Sequence, residues 1–166
     1  MQAINKVERT KIRIEADEVT YSLHIIIRFE IERDLFAGKI NIGELPDVWN
    51  QKYADYLDVK VENDSEGVMQ DTHWASGLYG YFPSYALGNI YDGQIIGAIN
   101  QELPDWRKQL SEGKINQIND WLKTNIHMQG NLFDPEELIK KATGADVNSE
   151  SYLNYLNEKY GRLYGF

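Results

Sequence analysis

Cysteine is absent from this sequence. A chain without thiols forms neither disulfides nor thiolate metal sites, so Cys-type zinc modules and cysteine hydrolases are excluded. Long hydrophobic runs are absent too, because the most apolar stretch, residues 23–27, is interrupted by His24. Its length falls far short of the ~20 residues that span a bilayer. No membrane helix is therefore expected.

Basic charge is scarce as well, with 17 Lys and Arg against 26 Asp and Glu and no basic run. An acidic chain of this kind is not expected to bind nucleic acid or an anionic membrane. The first nine residues lack the apolar core and the cleavage site of a secretory signal. We therefore expect a cytoplasmic protein.

The length of 166 residues suits one domain with a real hydrophobic core and is short for two. We predict a single domain over residues 1–166, predominantly α-helical with a small β-hairpin. The hairpin prediction rests on residues 59–62, which alternate like a short strand, and on the turn-forming residues 63–67 that follow.

The helix predictions rest on apolar residues at steps of three and four, and on Pro, Asp and Gly at helix ends. Three glycines in the second half, Gly88, Gly93 and Gly97, are expected to permit close backbone approach. Helices are expected over about 16–36, from Leu45-Pro46-Asp47 to Leu57, over 89–103, after Leu103-Pro104-Asp105, over about 115–126, from Asp134-Pro135 to Gly144, and over 149–160 before Gly161.

Two short segments concentrate the polar chemistry of the chain. Residues 67–74 hold an amide, a carboxylate, an imidazole and an indole, and residues 12–24 hold a second dense set. Each of these groups is costly to bury without a partner. We therefore expect the two segments to form two walls of one lined cleft.

A polar stripe is expected on the first long helix if that helix begins early enough. Its members fall at steps of 4, 3, 4 and 4, which places them on one helical face: Arg13, Asp17, Thr20, His24 and Arg28. The stripe is either a cleft wall or a solvated face with an ion pair between Arg13 and Asp17. Both interpretations stay open on spacing alone.

Both dense segments resemble signatures of the carboxypeptidase Taq family, zinc metallocarboxypeptidases that remove single residues from peptide C-termini. Residues 20–30 and 80–83 also look like this family. The first signature, I-R-x-x-A-D, is matched by Ile12, Arg13, Ala16 and Asp17, and the second, G-x-x-Q-D-x-H-W, by Gly67, Gln70, Asp71, His73 and Trp74.

The resemblance implies one part of a larger all-α metallopeptidase. The family builds its zinc site on H-E-x-x-H, whereas this chain has only His24, His73 and His127 and no such pattern. We therefore expect the C-terminal portion of a longer enzyme, without its metal-binding half, metal-free and inactive by itself. The parent enzyme would hold zinc or cobalt, act on peptides with a free C-terminus, and form a homodimer.

The resemblance also implies a role for each residue of the two signatures. Arg13 would bind the substrate carboxylate through a bidentate pair. His73 and Tyr81 would donate hydrogen bonds to the oxygen that becomes negative in the reaction. Gln70 and Asp71 would take part in substrate binding by orienting other groups, with Asp71 holding the His73 ring or bracing a neighbouring backbone. Supporting roles fall to Asp17, His24, Arg28 and Trp74, the first three around the cleft and Trp74 in the core.

Two other function classes remain compatible with the composition. One is a metal-free helical binding or dimerisation module, which 12% aromatic residues would suit. The other is an enzyme complete within 166 residues that uses paired carboxylates, such as a glycosidase with Glu15 and Asp71 facing each other across a pocket.

Overall fold

The computed structural model describes residues 2–166. Helix accounts for 63% of the chain, which confirms the predominantly α prediction. Seven α-helices lie in the described part of the chain: α1 Tyr21–Phe36, α2 Leu45–Leu57, α3 Pro83–Glu102, α4 Trp106–Ser111, α5 Asn116–Asn125, α6 Pro135–Thr143 and α7 Glu150–Tyr164. Five short 3₁₀ helices accompany them: Gln2–Asn5, Arg13–Glu15, Ile42–Glu44, Trp74–Ser76 and His127–Gln129.

The predicted β-hairpin is wrong, since no strand occurs within residues 2–166. Residues 59–62 form an irregular segment after α2. Their alternation is real in one respect, because Val59 and Val61 pack against the core of α1 and α2. A strand also needs a backbone partner, and alternation reports only which side chains are buried.

The helix ends show where local signals succeed and fail. Helix α2 spans the predicted residues, and α6 ends at Gly144 in a left-handed conformation, φ 78°. Helix α1 begins at Tyr21, later than predicted. The residues before it form a turn in which the Asp17 carboxylate accepts the backbone N–H groups of residues 19 and 20. Helix α7 continues through Gly161 to Tyr164. Its predicted stop was wrong.

The chain forms two compact units, residues 1–86 and residues 87–166. In the first unit, α1 and α2 pack side by side around a core that continues into Val61. Its fully buried members are Ile27, Ile31, Trp49, Tyr53 and Leu57. This unit carries both signature segments, and the single-domain assignment stays a prediction.

The second unit has its own apolar cluster, formed by Ala98, Ile99, Trp121 and Ala142. Gly93 permits the closest backbone approach in this unit, since a Cβ there would lie 2.7 Å from the backbone of Tyr152. Gly88 has no such neighbour. No helix among residues 2–166 has both the length and the hydrophobicity required to cross a bilayer.

Candidate functional site

Four polar side chains from both signature segments and from α1 meet in the first unit. We call this set the arginine cluster: Arg13, Arg28, Gln70 and Asp71. Arg13 lies on a 3₁₀ turn, Arg28 on α1, and the other two in the irregular segment that follows α2. The two signature segments are therefore in direct contact, while the lined cleft between them stays a prediction.

Asp71 is the centre of the arginine cluster. Its Oδ1 accepts hydrogen bonds from Nε and Nη2 of Arg13, at 3.0 and 2.8 Å. Its Oδ2 accepts a 2.6 Å bond from Nε of Arg28. One carboxylate therefore holds two guanidiniums.

Gln70 ties the same two arginines to the backbone around them. Its Oε1 accepts from the backbone N–H of Arg13 at 2.9 Å and from Nη2 of Arg28 at 2.8 Å. Its Nε2 donates to the carbonyl oxygens of Lys11 and Glu66, at 3.0 and 2.8 Å. With both acceptor and both donor positions used, the amide has only one stable orientation.

The charges of the arginine cluster do not cancel, because two guanidiniums share one carboxylate. Burial by itself would raise the pKa of Asp71, but the charges and hydrogen bonds of Arg28 and Arg13 lower it below its usual value. The same positive charges act on the neighbouring His24. Burial lowers the pKa of His24 to about 4, and the positive charges of Arg28 and Arg13 add to that effect.

Arg28 uses most of its hydrogen-bond donors inside the first unit. It has no exposed surface, and its Nη1 donates to the carbonyl oxygen of His24 at 2.7 Å and to the hydroxyl of Tyr53 at 3.1 Å. Its Cζ lies 4.6 Å from the ring centroid of Trp49. Four of its five N–H groups are thereby accounted for.

Arg13 uses fewer of its N–H groups than Arg28 does. Its Nη1 donates to the hydroxyl of Tyr21 at 3.2 Å, and its Cζ lies 5.0 Å from the ring centroid of Tyr85 and 5.8 Å from that of Phe82. Within the described part of the chain, Nη1 and Nη2 each make one hydrogen bond. Each of these nitrogens therefore keeps one N–H group for another acceptor.

His73 lies next to this guanidinium among aromatic rings. Its Nε2 is 3.1 Å from the hydroxyl of Tyr85, and its ring centroid is 4.5 Å from Phe82 and 5.6 Å from Tyr81. Its Nδ1 is buried without a hydrogen-bond partner among the described residues. The predicted support of the ring by Asp71 is not a hydrogen bond, since Nδ1 and Oδ1 are 3.9 Å apart.

The predicted polar stripe does not form on one helix, because Arg13, Asp17 and Thr20 precede the start of α1. His24 and Arg28 have no exposed surface, so both side chains lie in the interior of the first unit and not on a solvated face. Asp17 does not pair with Arg13, because its carboxylate accepts from the backbone of Glu8, Val19 and Thr20 and from the Thr20 hydroxyl. Asp17 therefore stabilises the turn that precedes α1.

Sequence reasoning missed three residues that shape this site. Tyr85 contacts both His73 and Arg13, Tyr53 links His24 to Arg28, and Glu32 binds the loop that contains Trp74. A signal existed for Tyr85, which follows Tyr81 by four positions at the start of α3. The positions of Tyr53 and Glu32 in the sequence indicate only that each residue belongs to a helix.

The glycosidase interpretation has no support from this geometry. Asp71 holds two guanidiniums and has a lowered pKa, so it cannot act as a protonated general acid near neutral pH. Glu15 lies exposed on the 3₁₀ turn. No carboxylate pair of the required kind involves these two residues.

A metal ion does not fit the described residues. No three side chains of His, Asp or Glu converge within residues 2–166 in a way that could hold one. The nitrogens Nδ1 of His24 and Nε2 of His73 are each bonded to a tyrosine hydroxyl. We therefore assign no metal-binding role to this set of side chains.

Comparison with known proteins gives one consistent result. The family model for "Carboxypeptidase Taq (M32) metallopeptidase" matches residues 1–160. Carboxypeptidase 1 of Bacillus subtilis is 44% identical over 164 residues, which cover 99% of this chain and 33% of that protein. Thermostable carboxypeptidase 1 of Thermus thermophilus is 44% identical over 163 residues, covering 98% of this chain and 32% of that protein.

Solved structures agree with the sequence comparisons. The crystal structure of the M32 carboxypeptidase from Deinococcus radiodurans superposes with a TM-score of 0.96 at 38% identity, covering 99% of this chain and 33% of that one. The chain thus spans about a third of the length of the relatives that it matches. It belongs to the carboxypeptidase Taq (M32) metallopeptidase family.

Proposed function

We propose that this chain forms the substrate-binding side of a metallocarboxypeptidase that removes the last residue from peptides with a free C-terminus. The observation that carries the proposal is the surplus positive charge of the arginine cluster, in which Arg13 and Arg28 share the single carboxylate of Asp71. The names of the relatives, all carboxypeptidases, supply the reaction class. Zinc stays the proposed metal of that enzyme on the resemblance alone.

The substrate carboxylate would bind to Arg13 rather than to Arg28. Arg28 has no exposed surface, whereas Arg13 keeps two N–H groups and 6% of its surface. Asp71 occupies the Nε side of Arg13, so the approach left for an anion is toward Nη1 and Nη2. Two parallel N–H groups match the two oxygens of a carboxylate.

His73 and Tyr81 would bind the oxygen that becomes negative when the peptide bond is attacked. Nδ1 of His73 is buried and has no hydrogen-bond partner among the described residues, so it would donate to the substrate after a movement of the ring on substrate binding, with Nε2 accepting from the Tyr85 hydroxyl. Tyr81 is 45% exposed. Donors fixed before the reaction stabilise developing charge without further reorganisation.

The test needs an active enzyme that contains this chain. A hybrid can be made in which this chain replaces the matching third of Bacillus subtilis carboxypeptidase 1, which is 44% identical to it. We call this protein the hybrid enzyme. Its kcat/KM is measured on matched peptides with free and with amidated C-termini.

Arg13→Lys keeps the charge and removes the planar pair of donors. We expect kcat/KM on free peptides to fall by roughly tenfold to 150-fold, as for lost hydrogen bonds to a charged group. The matched control is Arg9→Lys, since Arg9 forms an exposed ion pair with Asp58. Equal cleavage of free and amidated peptides by the unsubstituted hybrid enzyme would contradict the carboxylate role of Arg13. A folded, metal-loaded hybrid without peptidase activity would contradict the proposed function.

A further inference from the structure

Glu32 is a buried carboxylate that the arginine cluster does not use. It lies on α1 with 4% of its surface exposed. Its Oε1 accepts a 2.6 Å hydrogen bond from the indole N–H of Trp74, and its Oε2 accepts a 3.1 Å bond from the backbone N–H of Gly80. A buried carboxylate is costly unless its oxygens are bonded. Both oxygens of Glu32 are used on one loop.

The two residues that Glu32 holds are the chain neighbours of the two proposed donors. His73 directly precedes Trp74, and Tyr81 directly follows Gly80. Gly80 has φ 73°, a left-handed conformation that L side chains rarely adopt, so its N–H orientation depends on glycine at this position. Glu32 therefore contacts both ends of the segment that separates the donors.

The loop has further anchors at its Trp74 end. The indole of Trp74 makes edge contacts with Trp49 and with Phe82, each with a ring-centroid distance of 6.0 Å. Leu78 donates its backbone N–H back to the carbonyl of His73 at 2.9 Å. At Gly80, the hydrogen bond to Glu32 is the contact that links the backbone directly to α1.

We propose that Glu32 is a positioning residue that fixes the separation of His73 and Tyr81, whose ring centroids are 5.6 Å apart. This inference rests on the proposed function, which gives both rings a role at one oxygen. A displacement of about 1 Å in a catalytic group can lower the rate by about 10²-fold. Glu32 acts through the loop and does not itself contact the substrate.

Glu32→Gln is the most direct test. Glutamine keeps the size of the side chain but turns one acceptor oxygen into an NH₂ group, which then faces an N–H donor of Trp74 or Gly80. The matched control is Glu30→Gln on the same helix. Glu30 accepts from Lys52 and Tyr56 on α2 at 2.7 and 3.0 Å and does not bind the loop.

The first measurement is amide hydrogen exchange at Gly80 in the 166-residue chain. We expect Glu32→Gln to speed exchange at Gly80 by about tenfold or more, the effect of losing about one hydrogen bond, while Glu30→Gln leaves it unchanged. The same slow exchange in wild type, Glu32→Gln and Glu30→Gln would overturn the inference.

The second measurement is kinetic and uses the hybrid enzyme. Glu32→Gln should lower kcat by about tenfold or more and change KM by less than about twofold, since the donors act mainly in the transition state. The loss from Tyr81→Phe should be smaller in the Glu32→Gln background than in wild type, because residues that act together are not additive. Additive losses, or an unchanged kcat with faster Gly80 exchange, would overturn the positioning role.

Failure of the proposed function gives a different pattern. In that case His73→Ala and Tyr81→Phe hybrid enzymes would keep the wild-type kcat, although the exchange comparison at Gly80 would still separate Glu32→Gln from Glu30→Gln. Kinetic losses from both donor variants, without any effect of Glu32→Gln, would instead overturn the inference on Glu32 and leave the proposed function in place.

Discussion

Nε of the fully buried Arg28 donates a 2.6 Å hydrogen bond to Oδ2 of Asp71. The other oxygen of the same carboxylate binds Arg13. Asp71 therefore connects the rigid interior of the first unit to the guanidinium that we propose as the substrate anchor.

Asp71→Asn should strongly destabilise the first unit. The substitution leaves two largely buried guanidiniums without a counter-charge, and breaking a buried ion pair from one side typically costs about 3–5 kcal/mol. Urea denaturation of the 166-residue chain, followed by tryptophan fluorescence, measures the change in the free energy of unfolding.

Asp34→Asn is the matched control for this prediction. Asp34 also accepts from two basic residues, Arg33 and Lys39, but both partners are exposed. Its removal should change the free energy of unfolding much less. Equal effects of the two substitutions would show that the arginine cluster is no more important for stability than a surface ion pair.

The sequence predicted helices well because their signals are local. Pro46 at the start of α2 and Gly144 at the end of α6 act within one turn of the chain. The partner of Arg13 was not predictable in this way. Spacing favoured Asp17, four positions away, whereas the observed partner, Asp71, lies 58 positions away.

Other failures have the same physical origin. Residues 59–62 alternate because one side packs on the core, and only the fold reveals that no strand pairs with them. Glu32 belongs to a regular helix in sequence, so its contacts with Trp74 and Gly80 depend on how the loop folds over α1. The two signature segments were identified because their residue types are unusual together, although their hydrogen bonds were not.

Tyr85→Phe should affect His73 and leave the packing around Arg13 intact. The substitution removes the hydroxyl that lies 3.1 Å from Nε2 of His73 but keeps the ring 5.0 Å from Cζ of Arg13. We expect altered ¹⁵N chemical shifts of the His73 imidazole and, in the hybrid enzyme, a kcat lower by about tenfold, the effect of about one hydrogen bond. Tyr56→Phe, which removes a hydroxyl bonded to Glu30, is the control. Unchanged His73 shifts would show that the Tyr85 hydroxyl does not orient the imidazole.

Gly93→Ala should disrupt packing between α3 and α7 in the second unit. A Cβ at position 93 would lie 2.7 Å from the backbone N and Cα of Tyr152, which cannot move as a flexible side chain can. Overpacking of this kind costs typically about 1–3 kcal/mol. Gly97→Ala is the control on the same helix, since its nearest neighbour is 4.0 Å away, and it should stabilise the helix by up to about 1 kcal/mol. Thermal unfolding of both variants tests the prediction, and a Gly93→Ala protein as stable as Gly97→Ala would contradict it.

The buried His24 makes the stability of the first unit depend on pH. Nδ1 of His24 lies 3.0 Å from the hydroxyl of Tyr53, which also accepts from Nη1 of Arg28. The single hydroxyl proton of Tyr53 therefore goes to Nδ1, and Nε2 carries the imidazole proton without a partner among the described residues. A second proton would place a positive charge beside two guanidiniums, on a side chain with no exposed surface.

We expect the free energy of unfolding to fall as the pH is lowered from about 6.5 to about 4. Burial, with the charges of Arg28 and Arg13, lowers the pKa of His24 to about 4, whereas the unfolded chain titrates near about 6.5. Between these values the unfolded state binds more protons, so acid favours unfolding, by about 3 kcal/mol over the whole range. The pKa of Asp71 is lowered as well, so the stabilisation from its carboxylate is lost only below about pH 3.9, outside this window.

Urea denaturation at a series of pH values measures how the free energy of unfolding changes with pH. His24→Gln should flatten this dependence whatever its effect on stability at neutral pH, and His127→Gln, which removes an exposed imidazole, should keep the wild-type slope. A slope that persists in His24→Gln would assign the acid sensitivity to another group.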